Sequence, residues 1–240
     1  MIEQRSLEIG GPLPDPTQSD ICSEPIFRRA TASFVRRHGG DIARLFLDRL
    51  EGLRMITDKS RLMCQRSLFV KGAFPSPPNW HLDYMPGTPN VFAQHISKPT
   101  RGAIVNVCSP GKVSSTVFLA EGVVHLDDPD CHVPSVTGGE YLEATRGQLN
   151  WCTPQINGLI ASQRIGFRSI EPNLLYLYSS TNFHKPSQFT ESGGYRIILK
   201  GNTPPADFPY AIPSRDELLS HPDFFFTLSG NEWTKVAKDD

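Results

Sequence analysis

Beyond residue 64 the apolar residues arrive in short runs, SLFVKGAF, NVFAQHI, GAIVNVC, STVFLAEGVVHL, LLYLYSS and YRIILKG, separated by Pro, Gly, Ser and Asn. They lack a helical period and are rich in β-branched and aromatic residues. A chain written this way is bound to many short strands joined by turns, which means a sandwich or a barrel. Neither a fixed-period repeat nor a low-complexity tract accompanies them.

The flanks differ. Residues 1–22 open with Gly10-Gly11 and then Pro12, Pro14 and Pro16, a spacing that blocks helix formation, so an extended or loosely ordered arm is expected there. From Ser23 the segment SEPIFRRATASFVRR places Ile26, Ala30 and Phe34 four apart, and DIARLFLDRLEGL aligns Ile42, Leu45, Phe46, Leu50 and Leu53 after Gly39-Gly40. Two amphipathic helices follow from this spacing, the first opened by Ser23. Their arginines, Arg28, Arg29, Arg36, Arg37, Arg44 and Arg49, are expected to form a solvated face rather than a partner site. The stretch 203–240 reads as a proline-broken tail with one short helix near Arg215, packed on the strands through Phe224, Phe225 and Phe226. One catalytic domain over 23–240, with a strand core at about 69–201, fits a chain of 240 residues.

Composition narrows the partners. Charged residues make up 20% of the chain and balance to a net charge of -1, so no global field points to nucleic acid or a membrane, and a small-molecule substrate is expected. No run of about 18 apolar residues occurs and the first twenty residues are polar, which makes the cytoplasm the expected location. Five widely spaced cysteines without a CxxC argue against a disulfide framework or a zinc knuckle.

Chemistry concentrates in PNWHLDYMPG. His81 and Asp83 lie two apart, and alternation along an extended strand aims both to one side. A second histidine, His184, follows the apolar run NLLYLYSSTNF and is expected just past a strand end. Two histidines and a carboxylate cap one face of a metal and leave positions open for co-substrate and oxygen, unlike a closed structural zinc site. VVHLDDPD offers a competing pair, His125 and Asp127, which spacing alone leaves open. Arg196 stands in the apolar strand YRIILKG, where burial makes its charge costly unless an anion pairs with it. Its planar fork suits a carboxylate, from a ligand or from a core acid.

The order WHLDY, then FHKPSQFTESGGYRIILKG, resembles the HxD…H…Arg pattern of iron(II)/2-oxoglutarate-dependent dioxygenases, closest to the phytanoyl-CoA and taurine dioxygenase-like branches. The resemblance covers about Phe69 to Gly201. It implies a double-stranded β-helix (a cupin-like jelly roll) with the helices packed outside. It also implies Fe(II) on His81, Asp83 and His184, and 2-oxoglutarate on Arg196 with Thr116 as a second contact. O2 would then drive hydroxylation of a small organic substrate with release of succinate and CO2. WHLDY is the closer match to the family, which favours His81 and Asp83 over His125 and Asp127. Trp80 and Tyr84 are candidate substrate contacts, with Asn79, Gln94 and Lys71 as weaker ones. Two alternatives stand beside this reading: a non-enzymatic β-barrel that binds an organic acid, and a cupin-type metalloenzyme that does not use 2-oxoglutarate.

Overall fold

A computed structural model describes residues 1–82, 99–126 and 152–203, together with 214, 216–219, 224–229 and 232–237. In chain order its elements are β1 (Ile2–Gln4), β2 (Glu8–Pro12), α1 (Gln18–Ser23), β3 (Phe27–Ala30), α2 (Ala32–His38), α3 (Asp41–Gly52), β4 (Arg61–Leu68), β5 (Arg101–Cys108), β6 (Thr116–Leu119) and β7 (Gly122–Val124). After a helical stretch over 152–161 come β8 (Phe167–Ser169), β9 (Leu174–Ser179), β10 (His184–Pro186), β11 (Tyr195–Thr203), β12 (Glu217–Leu218), β13 (Phe224–Ser229) and β14 (Glu232–Ala237).

The architecture is mainly β. One large sheet runs β12-β3-β4-β11-β5-β9-β2, with the β13–β14 hairpin joined at β4; a smaller sheet runs β10-β6-β8, and β1 pairs with β7. Among the described residues all pairings are antiparallel except a single parallel bridge from Phe224 to Ser67.

The central strand β11 shows how the sheet divides the core. Alternation sends Ile197 and Leu199 to one face, where they join Val105, Val107, Leu175, Phe46, Leu47 and Leu50 under the helices. Ile198 points to the other face and packs with Ile104, Tyr176, Tyr178 and, from the small sheet, Phe118. The space between the two sheets therefore receives the even-numbered residues of β11, including Arg196 and Lys200. Behind the small sheet a third cluster gathers Trp80, Leu82, Val117, Leu119, Ile156 and Phe183.

Three expectations need correction. Residues 1–22 hold the extended strands β1 and β2, each paired with a distant strand, but end in a helix, α1, which Thr17 caps through a reciprocal bond with Asp20. The helix expected from Ser23 does not form, because Ser23 ends α1 and Phe27–Ala30 joins β4 as a bulged strand. Phe27 and Ala30 are buried there, and α2 begins only after the Thr31 cap. Three apolar residues at a spacing of four are too few to outweigh that strand pairing. The tail carries strand β12 and the β13–β14 hairpin, while Arg215 lies outside the described residues. Phe226 is anchored by backbone bonds of 2.7 Å in both directions with Phe74, and Phe225 packs beside Phe69 and Phe189.

The helix α3 has Gly40 at its N-cap position, so no side chain of its own closes it. Glu24 does so from a distance, accepting from the amides of Gly40 (2.9 Å), Ile42 (3.0 Å) and Ala43 (3.3 Å). Burial pushes the Glu24 carboxyl above its ordinary range despite those three donors. Glu24→Ala removes the cap and strands buried amides, so a loss of about 2 kcal/mol is expected in urea unfolding, with Glu24→Gln recovering part of it. The arginine-rich face is satisfied locally in part: Arg36 binds Asp48 (2.6 Å) and Glu51 (2.7 Å).

Candidate metal and anion site

The two histidines meet through the backbone. His81 and His184 form an antiparallel bridge, each amide donating to the other's carbonyl at 3.0 Å, and their rings lie 4.4 Å apart. His184 begins β10 opposite Phe118, whose ring stacks on the imidazole at 5.0 Å, while Tyr178 meets it edge-on at 5.7 Å. Gly102 makes room for that tyrosine, since a Cβ there would come within 2.7 Å of the Tyr178 ring.

Both rings are oriented in the same way. His81 Nδ1 lies 2.9 Å from the carbonyl of Asn79, and His184 Nδ1 lies 3.1 Å from that of Asn182. A carbonyl only accepts, so each Nδ1 carries the proton and each Nε2 carries the basic lone pair. A metal-binding histidine uses this arrangement, its other nitrogen held by a carbonyl. A cation already sits on one of these lone pairs: Lys200 Nζ is 2.9 Å from His184 Nε2. Its ammonium donates to the nitrogen that would otherwise ligate.

Arg196 lies further along the same face of β11. It is 1% exposed, and burial pushes its guanidinium down to about 10, which leaves it charged at neutral pH. Its Nη2 donates to Asn106 Oδ1 at 2.5 Å and to Thr116 Oγ1 at 3.1 Å. Both acceptors are neutral. Among the described residues Nε has no hydrogen-bond partner, and no Asp or Glu forms an ion pair with this arginine. The alternative of a core acid as partner therefore has no support among the described residues.

Register connects the two centres. On the small sheet Phe118 faces His184 and Thr116 faces Pro186, so the hydroxyl that meets the arginine lies two residues from the histidine's neighbour, roughly 7 Å along the strand.

Other predicted residues fall elsewhere. Asp83, Tyr84, Gln94 and Asp127 lie outside the described residues, and among the described ones no group of three His, Cys, Asp or Glu side chains is placed to hold a metal. His125 is exposed just after β7, whereas His184 is buried. Trp80 is buried behind the small sheet, its indole donating to Asn157 Oδ1 at 3.1 Å and the Lys185 ammonium 4.9 Å above its ring. It is occupied by packing and does not face the space between the sheets. Lys71 is exposed, and Asn79 acts through its carbonyl on His81. Sequence reasoning missed Lys200 and Asn106. The period-2 alternation that buried Arg196 placed Lys200 on its face, and an Asn inside GAIVNVC was itself a sign of a buried polar partner.

No family model matches the chain, and no curated protein matches it in sequence. Among solved structures, it is similar to a novel N-substituted L-amino acid dioxygenase from Burkholderia ambifaria AMMD, at 14% identity over 94% of this chain and 84% of that one, with a TM-score of 0.37. A likeness at that level carries no weight for fold or chemistry, which have to be argued from the chain's own residues.

Proposed function

We propose that this chain is a non-haem iron(II) oxygenase that takes 2-oxoglutarate as co-substrate and O2 as oxidant, built on a double-stranded β-helix. The observation that carries the reading is Arg196: a buried, charged guanidinium that meets only neutral acceptors among the described residues is a site for a ligand carboxylate.

The residues present fit the implied metal. His81 and His184 are neighbours with the basic lone pair on Nε2, and iron(II) on His184 would take the place of the Lys200 ammonium. Asp83, two residues from His81, is proposed as the carboxylate ligand. Iron(II) bound there would supply oxygen activation coupled to decarboxylation of the keto acid. The protein's own task is to fix the far carboxylate on Arg196 and Thr116, to keep both imidazoles in one tautomer, and to line the space with Phe118, Tyr178 and Ile198 so that water is excluded. A small organic substrate would be hydroxylated, with succinate and CO2 released.

Anaerobic protein is expected to bind one iron(II) and, with 2-oxoglutarate, to develop the weak visible charge-transfer band of a chelated keto acid. A colourless mixture at saturating iron and 2-oxoglutarate overturns the proposal. One observation favours a second reading, a metal-free module for organic acids: the Lys200 ammonium on His184. In that case dicarboxylates bind equally well with and without iron.

A further inference from the structure

Asn106 is fully buried in the middle of β5, and its side chain is the nearest acceptor to Arg196. An aspartate there would have the same shape and would neutralise the guanidinium from within. The chain carries the neutral amide instead, and the amide's other end is also used: Nδ2 lies 3.3 Å from Thr116 Oγ1. Both ends of the Asn106 amide thus lie about equally far from Thr116 Oγ1, and the shorter bond to that hydroxyl comes from Arg196 Nη2 at 3.1 Å. Thr116 Oγ1 donates to Asn106 Oδ1 at 3.4 Å, a long bond.

We propose that Asn106 is a positioning residue for an anion site: it holds Arg196 through a neutral amide and so leaves the guanidinium charge to an incoming carboxylate. This rests on reading Arg196 as the anchor of a ligand carboxylate. It adds the reason that the arginine meets no carboxylate among the described residues. An aspartate at 106 would reverse this by pairing with the guanidinium.

The test compares wild type, Asn106→Asp and Asn106→Ala, with Asn106→Asp repeated in an Arg196→Met background. Binding of 2-oxoglutarate to anaerobic iron-loaded protein and of glutarate to metal-free protein is measured by calorimetry, and thermal midpoints are taken without ligand. Asn106→Asp is expected to weaken both ligands on the order of 100-fold, as the internal carboxylate competes for the buried guanidinium. Its midpoint should stay at or above that of wild type, because the buried charge gains a partner. In the Arg196→Met background the same substitution should lower the midpoint, since it buries an unpaired carboxylate. A purely structural Asn106 gives a drop in both backgrounds, and that result, or wild-type affinity in Asn106→Asp, overturns the proposal. If wild type binds neither acid, the co-substrate reading falls instead. The reversal of sign between backgrounds still decides whether Asn106 keeps the charge of Arg196 open.

Discussion

Arg196→Ala is expected to weaken 2-oxoglutarate binding by roughly 30-fold to several thousand-fold, the equivalent of about 2–5 kcal/mol for removing a charge-assisted hydrogen-bonded pair from a desolvated site. Iron(II) binding should change little, because the guanidinium donates to Asn106 and Thr116 and to neither histidine. Arg196→Lys should recover only part of the affinity, since an ammonium cannot offer the planar fork and would not reach both neutral acceptors in the same geometry. Arg196→Ala opens a cavity where a fully buried side chain stood, so its thermal midpoint is expected to fall, with Arg196→Lys less affected. Arg196 forms no ion pair with a described carboxylate, and a buried charge without a partner costs stability, so the alanine variant leaves no described anion stranded. Calorimetry with 2-oxoglutarate on anaerobic protein, with iron occupancy checked in each variant, reads the effect directly. Unchanged affinity in Arg196→Ala would remove the main support for a dicarboxylate co-substrate.

The strands that position this site were legible because they are buried on both faces. GAIVNVC, LLYLYS and YRIILKG are near-continuous apolar runs, and they became β5, β9 and β11 side by side. The N-terminal arm was not legible, since its two strands owe their existence to partners far away in sequence. Ile2–Gln4 pairs with Gly122–Val124, and Glu8–Pro12 pairs with β9 across a bulge, although Gly10, Gly11 and Pro12 have little strand propensity of their own. At the site, the residue types and their order were readable: a His-x-Asp, a later histidine and a buried arginine. Their meeting in space was not. His81 and His184 touch through a backbone bridge between segments far apart in the chain, and the proton placement on both rings depends on the carbonyls of Asn79 and Asn182. Backbone acceptors leave no mark in side-chain identity. The pairing of Lys200 with His184 was hidden for a similar reason, because the histidine comes from the other sheet.

His184→Ala and His81→Ala are each expected to reduce iron(II) affinity by more than the roughly 10–100-fold that removing an outer partner of a metal ligand costs. His125→Ala is expected to leave it unchanged. The motivating geometry is the shared orientation of the two imidazoles, each with Nδ1 bound to the carbonyl two residues before it, while His125 is exposed beyond β7. The two variants should differ in their effect on the fold. His81 is only partly buried, whereas His184 is enclosed by Phe118, Tyr178 and Lys200, so His184→Ala leaves a cavity and should lower the thermal midpoint as well. His184→Gln keeps most of the volume and a polar end for Lys200, and it separates ligation from packing: a folded glutamine variant that no longer binds iron assigns the effect to the imidazole. Asp83→Ala should behave like His81→Ala in metal titration. If instead His125→Ala abolishes iron binding and His81→Ala does not, the metal belongs to the later His-x-Asp pair, and the tautomer shared by His81 and His184 would need a purely structural explanation.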